Sequence, residues 1–596
     1  MDLKDLHIPD SSEPGKELDE FSFYIESGRY YTEETRGKKR VKIDLSNFVM
    51  KSVFHLLNGT NNSQRIIYLQ RHTGEPSDCH LVQVYSSELK PEAFETICIS
   101  KRCTFLGSRY YLKKIISKMM DEEKEAIILD LIGWNAQHKL YVFADAIFNG
   151  KLIRINELGI TEAAGNKYYL PAFGFANLND EDYKTDRLYC FREGKTDFKS
   201  FARLFYEAYG NNGAIGLMFT ILACYRDVVF DQVGFFPFLF LFGDAGTGKT
   251  SFTETLLSLF GRDVVGTPLN NATTVGLSRL VSSRTNSLFY LKEYTNETDV
   301  SAEDFILTAY DGAGRTTGIK SNDTRTKTFP VKSAMIFDGN HLPTQKSAIL
   351  SRMILLNFES STFTGEETKA FNDLKALSVE GFGAVLIEIL RLRPVVEKKF
   401  RSVFLTVARK IKNSDSMVQL PERTINHLAL LFSAMEISSE VLSFPFNPDI
   451  LKKIIVDNAI NQNNLLKESS VIHVFWESFS FNVKKGNLVE YTDSFQDNKK
   501  THFRLKTDAE NTFILQIKLP SIYPYYVRYC KENNTRFLDQ SSLRMILTAK
   551  TNTYFIPSHQ KGRNHGYTDK YFGFCYQFST NKTENGYEIN EVEINL

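Results

Sequence analysis

The chain has no long apolar run. Its best candidate, Gly213 to Cys224, is too short to span a bilayer and leads straight into Arg226 and Asp227. A membrane is therefore not an expected partner. The opening Met1-Asp2-Leu3-Lys4-Asp5 has no signal-peptide pattern. Cysteine is scarce: seven residues (79, 98, 103, 190, 224, 530, 575), scattered and odd in number. That excludes a disulfide scaffold and fits a reducing cytoplasm, bacterial or host-cell. Cys79-His80 with Cys98 and Cys103 matches no metal-ligand spacing, so buried thiols are expected there. Charge of one sign is also missing. The net charge is +1, so the whole molecule is no polycation and any nucleic-acid contact must be local. Internal repeats and low-complexity tracts are absent.

What is present is a globular composition, 42% hydrophobic and 24% charged, in a chain of 596 residues, long enough for three or four domains. Its most informative stretch is Gly243-Asp244-Ala245-Gly246-Thr247-Gly248-Lys249-Thr250, which reads G-x-x-x-x-G-K-[ST]. The apolar run Phe238-Leu239-Phe240-Leu241-Phe242 precedes it, and a helix-like run from Ser251 to Phe260 follows. Strand, glycine-rich loop and helix form the context of a phosphate-binding P-loop. Glycines let backbone N–H groups close around a polyphosphate, and the helix N-terminus favours negative charge. Lys249 is expected on the β/γ-phosphates and the Thr250 hydroxyl on Mg²⁺, with Ser251 completing the nucleotide contacts. A nucleoside triphosphate, ATP with Mg²⁺, is the expected ligand.

Residues 1–20 are acidic and read as a flexible tail. Residues 21–150 show short alternating strands, such as Arg65 to Leu69 and Leu81 to Tyr85, and one helix around Tyr110 to Met120, a β-rich domain. A helical linker or collar is expected over 151–215, the P-loop core over 216–360 and a helical region over 361–465. In 466–596, two helices (Ile522 to Asn533, and Gln540 to Ala549 capped by Asp539) precede strand-like Tyr554 to Ile556 and Tyr571 to Phe578. A loop with Lys561, Arg563, His565 and Lys570 joins those strands. This order suggests a winged helix, a module that serves DNA or protein contacts equally well.

Motifs after the P-loop narrow the reading. The strand Leu288-Phe289-Tyr290-Leu291 ends in Lys292-Glu293, where a Walker B acid pair belongs. Glu293 fits the acid that polarises the attacking water. The residue before it is ordinarily Asp, which supports Mg²⁺ through water. Lys292 cannot do so. Either it sits beside the metal or it turns away onto an acid elsewhere, and the second is expected because a cation next to Mg²⁺ is unfavourable at interior dielectric. Asp311 to Phe329 reads as a protruding β-hairpin with a Ser-Asn-Asp turn; Arg315, Lys320, Arg325 and Lys327 are its cations, suited to a phosphate backbone. Ala334-Met335-Ile336-Phe337 is another apolar strand, followed by Asp338-Gly339-Asn340, and Asn340 is expected to orient the lytic water. Arg352 precedes a last strand, Met353 to Phe358, and could reach a neighbouring subunit's site.

P-loop, strand-Glu, basic hairpin, strand-Asn-x-x-Pro and Ser-Arg, in that order over Phe238 to Phe358, resemble the AAA+ ATPases and, within them, the superfamily 3 helicases of viruses, plasmids and other mobile elements. The region around Gly133-Trp134 and its spacing to the P-loop also look like helicase-like proteins of bacterial mobile elements. The resemblance implies an α/β fold: a three-layer α/β/α AAA+ core with a β-rich N-terminal domain, a helical region and a winged-helix-like C-terminal domain. It further implies a homo-hexameric ring, ATP between subunits, and hairpins gripping one strand of single-stranded or forked DNA. Lys249, Thr250, Glu293 and Asn340 would serve one subunit's site and Arg352 its neighbour's. No primase-like segment is recognisable, so a separate primase or origin-binding protein is the implied partner. A protein-remodelling or signalling AAA+ ATPase, and an ATP-binding DNA scaffold with weak hydrolysis, are the competing expectations.

Overall fold

The computed structural model describes residues 6–9, 22–59, 62–73, 75–269, 273–295, 300–318, 326–340, 347–359, 363–414, 420–468, 471–490, 501–507, 513–533, 535, 537–547, 572–575, 581–583 and 586–588. It is a mixed α/β protein. Leu6 and Ile8, expected within a flexible tail, are instead buried in the N-terminal core, and the Ile8 amide donates to Gln70 Oε1 at 3.1 Å. Two apolar side chains among acids are enough to anchor that segment.

The N-terminal core forms around a six-stranded sheet. Its spatial order is Ile160–Ala163, Asn166–Tyr169, Glu125–Ile128, Phe48–Leu57, Gln64–Arg71, Cys79–Tyr85. Helices Pro91–Ser100 and Arg109–Asp121 pack on it through Phe94, Ile115 and Ile116. The strands at 152–169 correct the expected helical linker, in which a short helix at Lys184–Arg187 precedes the long helix that starts at Phe198. The reason is local. Ala164 and Gly165 both have positive φ (49° and 80°), the geometry of a two-residue hairpin turn, and β-forming Ile160-Thr161 and Tyr168-Tyr169 flank it. Cys98 and Cys103 are buried thiols; burial pushes Cys103 up to about 11.

A second sheet, in the order Leu152–Arg154, Ala146–Phe148, Leu140–Val142, Ile132–Asn135, takes its last strand, Arg284–Thr285, from the P-loop region. The backbones meet at Gly133 (φ 101°), where a Cβ would lie 1.8 Å from the Thr285 carbonyl oxygen, so only glycine fits. Next to this junction the Arg393 guanidinium stacks 3.8 Å from the Trp134 ring centroid and pairs with Asp227. Asp227 in turn accepts from Asn286 Nδ2 at 2.6 Å.

Helix α1 (Phe198–Cys224), broken at Gly210, leads into the central sheet. Its members are β1 (Phe238–Phe242), followed by helix α2 (Lys249–Leu257), then β2 (Thr267–Pro268), β3 (Leu288–Tyr294), β4 (Ala334–Gly339) and β5 (Met353–Asn357). All pairings are parallel, in the order β2-β3-β4-β1-β5. Continuous apolar runs are what a strand covered on both faces requires. In β1, Leu239 and Leu241 join the core shared with α1, while Phe238 and Phe240 join the core on the other face. The same division holds for Ile336 against Met335 and Phe337 in β4. Among the described residues no single helix is long and apolar enough to cross a membrane.

Helices Gly365–Glu380, Gly383–Leu390, Arg393–Lys412, Glu422–Ser438 and Pro448–Glu468 follow. In the C-terminal segment, strands Phe503–Thr507, Phe513–Ile517 and Phe572–Cys575 form one antiparallel sheet. Helix Leu519–Glu532 lies between its second and third strands in sequence, followed by Gln540–Leu547, whose first turn is capped by Asp539 Oδ1 accepting from the Ser541 and Ser542 amides. The strand at 572–575 therefore pairs with Phe513–Ile517. Its expected partner, Tyr554 to Ile556, and the basic loop around Lys561 and Arg563 lie outside the described residues.

Candidate nucleotide site and hairpin

Parallel strands bring every carboxyl end to one edge of the sheet, and the loop Gly243 to Gly248 leaves β1 at that edge. Gly243 (φ 149°) passes so close to β5 that a Cβ would sit 2.0 Å from the Phe358 carbonyl oxygen. Gly248 (φ 94°) turns the chain into α2. Asp244, Ala245 and Gly246 are exposed at the loop's crest, as is Thr250 at the start of α2, while Thr247 is buried and donates to the Asp244 carbonyl at 2.9 Å. Ser251 is half-buried.

The Lys249 side chain is buried against the loop. Its Nζ donates to the carbonyls of Gly243 and Asp244, both at 2.6 Å, and to Asn340 Oδ1 at 3.3 Å. Burial lowers the lysine's pKa, and the carboxylates of Asp338 and Asp244 act against that. Thus Lys249 and Asn340, separated by ninety-one positions, meet at the loop. Glu293 lies at the same edge, one strand beyond β4. It is exposed, and its φ of 61° puts a non-glycine residue in the left-handed region. The cause is a bulge: the β3–β4 register, regular to Leu291↔Phe337, resumes at Tyr294↔Gly339. Such a conformation costs about 1–2 kcal/mol and persists where the surroundings impose it.

Lys292 is turned away onto an acid. Its Nζ lies 3.3 Å from Glu254 Oε1 on α2, and its methylenes pack over Gly266. In its place a different carboxylate enters the site. Asp338, on β4, is buried; its Oδ1 accepts from the Glu293 amide at 2.7 Å and its Oδ2 from the Tyr290 hydroxyl at 2.8 Å. The Thr250 side chain is a polar neighbour of the same phenol and acts to lower its pKa. Burial first, and the Asp338 carboxylate second, hold that phenol far above the ordinary tyrosine range. Sequence reasoning missed both residues. Asp338 left one signal, a carboxylate closing an apolar strand. Tyr290 left none, since an aromatic in a buried strand reads as packing.

Arg352 sits at the opposite edge. Its carbonyl accepts from the Phe238 amide, at the amino end of β1. At about 3.3 Å per residue that is roughly 16 Å from its own P-loop. Its Nη1 donates to the Ala348 carbonyl at 2.8 Å, and its guanidinium lies 5.5 Å from the Tyr310 ring centroid.

Arg315–Gly318 and Thr326–Phe329 form the arms of an antiparallel hairpin, paired from Arg315↔Phe329 to Gly318↔Thr326. Arg315 and Lys327 belong to these arms. Lys320 and Arg325, between them, lie outside the described residues.

No family model and no curated protein matches the chain. Among solved structures, it is similar to one titled "SCCmec type IV Cch - active helicase", with a TM-score of 0.54 and 13% identity over 93% of this chain and 97% of that one. A second, the A form apo structure of the NrS-1 C-terminal region (residues 305–718), matches at 10% identity over 66% of this chain and 90% of that one; its TM-score of 0.23 carries no argument. The fold of this chain is thus one found in a solved helicase.

Proposed function

We propose that the chain is an ATP-dependent DNA helicase of the superfamily 3 type within the AAA+ ATPases, acting in replication of a phage, plasmid or other mobile element. One observation carries the reading: the strand order gathers the P-loop, Glu293 and Asn340 at one sheet edge, with Lys249 bonded to Asn340. Gly243 to Ser251 would hold the triphosphate of ATP. The exposed Thr250 hydroxyl fits Mg²⁺, a hard ion that takes few protein oxygens and keeps phosphate and water for the rest. When bound, the ion would neutralise charge on the transferred phosphoryl group. Glu293 would take the proton of the attacking water and Asn340 would orient that water.

Arg352 is too far along the strand to reach its own loop, which suits action on a neighbour's phosphates in a homo-hexameric ring. The hairpin would carry Arg315, Lys320, Arg325 and Lys327 to a single strand in the channel. The C-terminal segment, read as a winged helix, would contact DNA or a separate primase or origin-binding protein. A cytoplasmic setting accords with these roles.

The test is unwinding of a forked duplex by purified chain with ATP and Mg²⁺, together with the Lys320→Ala/Arg325→Ala double variant. Parent protein should unwind, with hydrolysis stimulated by single-stranded DNA. The double variant should keep basal hydrolysis, lose unwinding and bind single strands with a shallower salt dependence. ATP hydrolysis without unwinding, and hairpin changes without effect on DNA binding, would point to a protein-remodelling ATPase.

A further inference from the structure

P-loop sites ordinarily support the metal with an acid directly before the catalytic glutamate, and here that position is occupied by a lysine engaged with Glu254. The site nevertheless contains a buried carboxylate. Asp338 lies on β4, the strand between β3 and β1, and pairs with Leu241, two positions before the P-loop starts. Burying a carboxylate costs several kcal/mol unless hydrogen bonds and charge offset it. The Glu293 amide and the Tyr290 hydroxyl give it one hydrogen bond per oxygen, and Lys249 is the nearby opposite charge. A carboxylate has about four acceptor sites, so two such bonds leave it capacity for more. Lys249 is also the residue that phosphates would claim. A nucleotide drawing that ammonium outward leaves Asp338 in need of another cation, and a hydrated divalent ion at Thr250 supplies one. Tyr290 already lies between the two residues: its hydroxyl donates to Asp338, and the Thr250 side chain is a polar neighbour of the same phenol.

Building on the nucleotide-site reading, we propose that Asp338 is the metal-supporting acid of this site, taking over from β4 the task that Lys292 cannot perform on β3, with Tyr290 as the residue that aligns it with Thr250. Asp338 accepts hydrogen bonds from the waters of a Mg²⁺ ion held by Thr250 and the phosphates. Its second task is to fix the Glu293 backbone in the bulge. The same carboxylate thereby ties metal and catalytic glutamate together, and both ends of the reaction depend on one strand end. This is a positioning role, since Asp338 acts through water and through the Glu293 amide.

The experiment titrates Mg²⁺ into full-length chain with a fluorescent ATP analogue, reading analogue affinity in EDTA and the Mg²⁺ midpoint, with folding checked by thermal melt. Asp338→Asn should leave affinity in EDTA near the parent value and shift the Mg²⁺ midpoint upward by about ten- to a hundredfold, the usual cost of a lost outer-shell partner. Tyr290→Phe, which keeps the ring, should shift it in the same direction by a smaller factor. An unchanged midpoint in folded Asp338→Asn overturns the inference while leaving nucleotide binding intact. Should Asp338→Asn fail to fold, Tyr290→Phe decides, and an unchanged midpoint there overturns it. A lower Mg²⁺ midpoint in Lys292→Asp would also overturn it, because the ordinary position would then be the competent one. Parent protein that binds no analogue at all, with or without Mg²⁺, removes the P-loop reading itself and this inference with it.

Discussion

Replacing Lys292 by Asp restores the residue that P-loop sites ordinarily carry, yet the structure predicts damage. Lys292 Nζ is 3.3 Å from Glu254 Oε1, with side chains 23% and 42% exposed. A pair this open contributes about 0.5–1 kcal/mol. Putting Asp there turns attraction into repulsion, about 1 kcal/mol more after solvent screening at a separation of about 6 Å. The lysine stem also covers Gly266 and its ammonium lies 5.4 Å from the Tyr290 ring centroid, packing that the shorter Asp gives up at a cost of about 0.5–1 kcal/mol. The sum is about 2–3 kcal/mol. In a unit of this core's size that lowers the melting temperature by about 4–12 °C. Lys292→Met keeps the stem and should lose only the pair, about 0.5–1 kcal/mol. The charge swap Lys292→Asp/Glu254→Lys should recover most of the electrostatic part, and thermal melts of the parent, Lys292→Asp, Glu254→Lys and the swap, with and without Mg²⁺, give the coupling energy. Lys292→Asp as stable as the parent, with no coupling to Glu254, would refute the reasoning.

Other outcomes follow from the same geometry. Glu293→Gln should bind ATP normally and slow hydrolysis by about 10²–10⁴-fold in a steady-state phosphate-release assay; a parent-like rate would sink the assignment. Arg352→Ala should lose about 10³-fold or more in hydrolysis with ATP affinity little changed, and mixing it with Lys249→Ala protein should recover activity at hybrid interfaces; a monomeric mass in ATP and no recovery at any ratio would argue against a shared site. Gly133→Ala should destabilise the junction by about 3 kcal/mol or more, through positive-φ strain and the clash with the Thr285 carbonyl, seen as earlier melting and faster proteolysis between the sheets. Burial pushes the His427 imidazole, which shares a hydrogen bond with the Tyr310 hydroxyl, down to about 3. The unfolded chain takes up that proton near the ordinary value of about 6.5, so stability is full above it and falls on acidification through it, by about 1.4 kcal/mol at pH 5.5. His427→Gln should lose that share of the acid sensitivity in urea titrations.

The sequence by itself determined the local parts. Phe238 to Thr250 could be read as strand, loop and helix because each signal (apolar run, fixed glycines, helix start) is carried by consecutive residues. The hairpin arms, the Asp539 cap and the helix at 109–121 were legible for the same reason. The strands at 152–169 were not, because positive φ at Ala164 is invisible in a residue that ordinarily avoids it. Only the tertiary structure decided what the local parts do to one another. Lys292 and Glu254 find each other because α2 packs beside the end of β3. Asp338, Tyr290 and the Glu293 amide converge because β4 lies between β3 and β1 and a bulge shifts one strand against the next. Pairing order and register are long-range outcomes of packing two apolar faces at once, and no short window of sequence contains them.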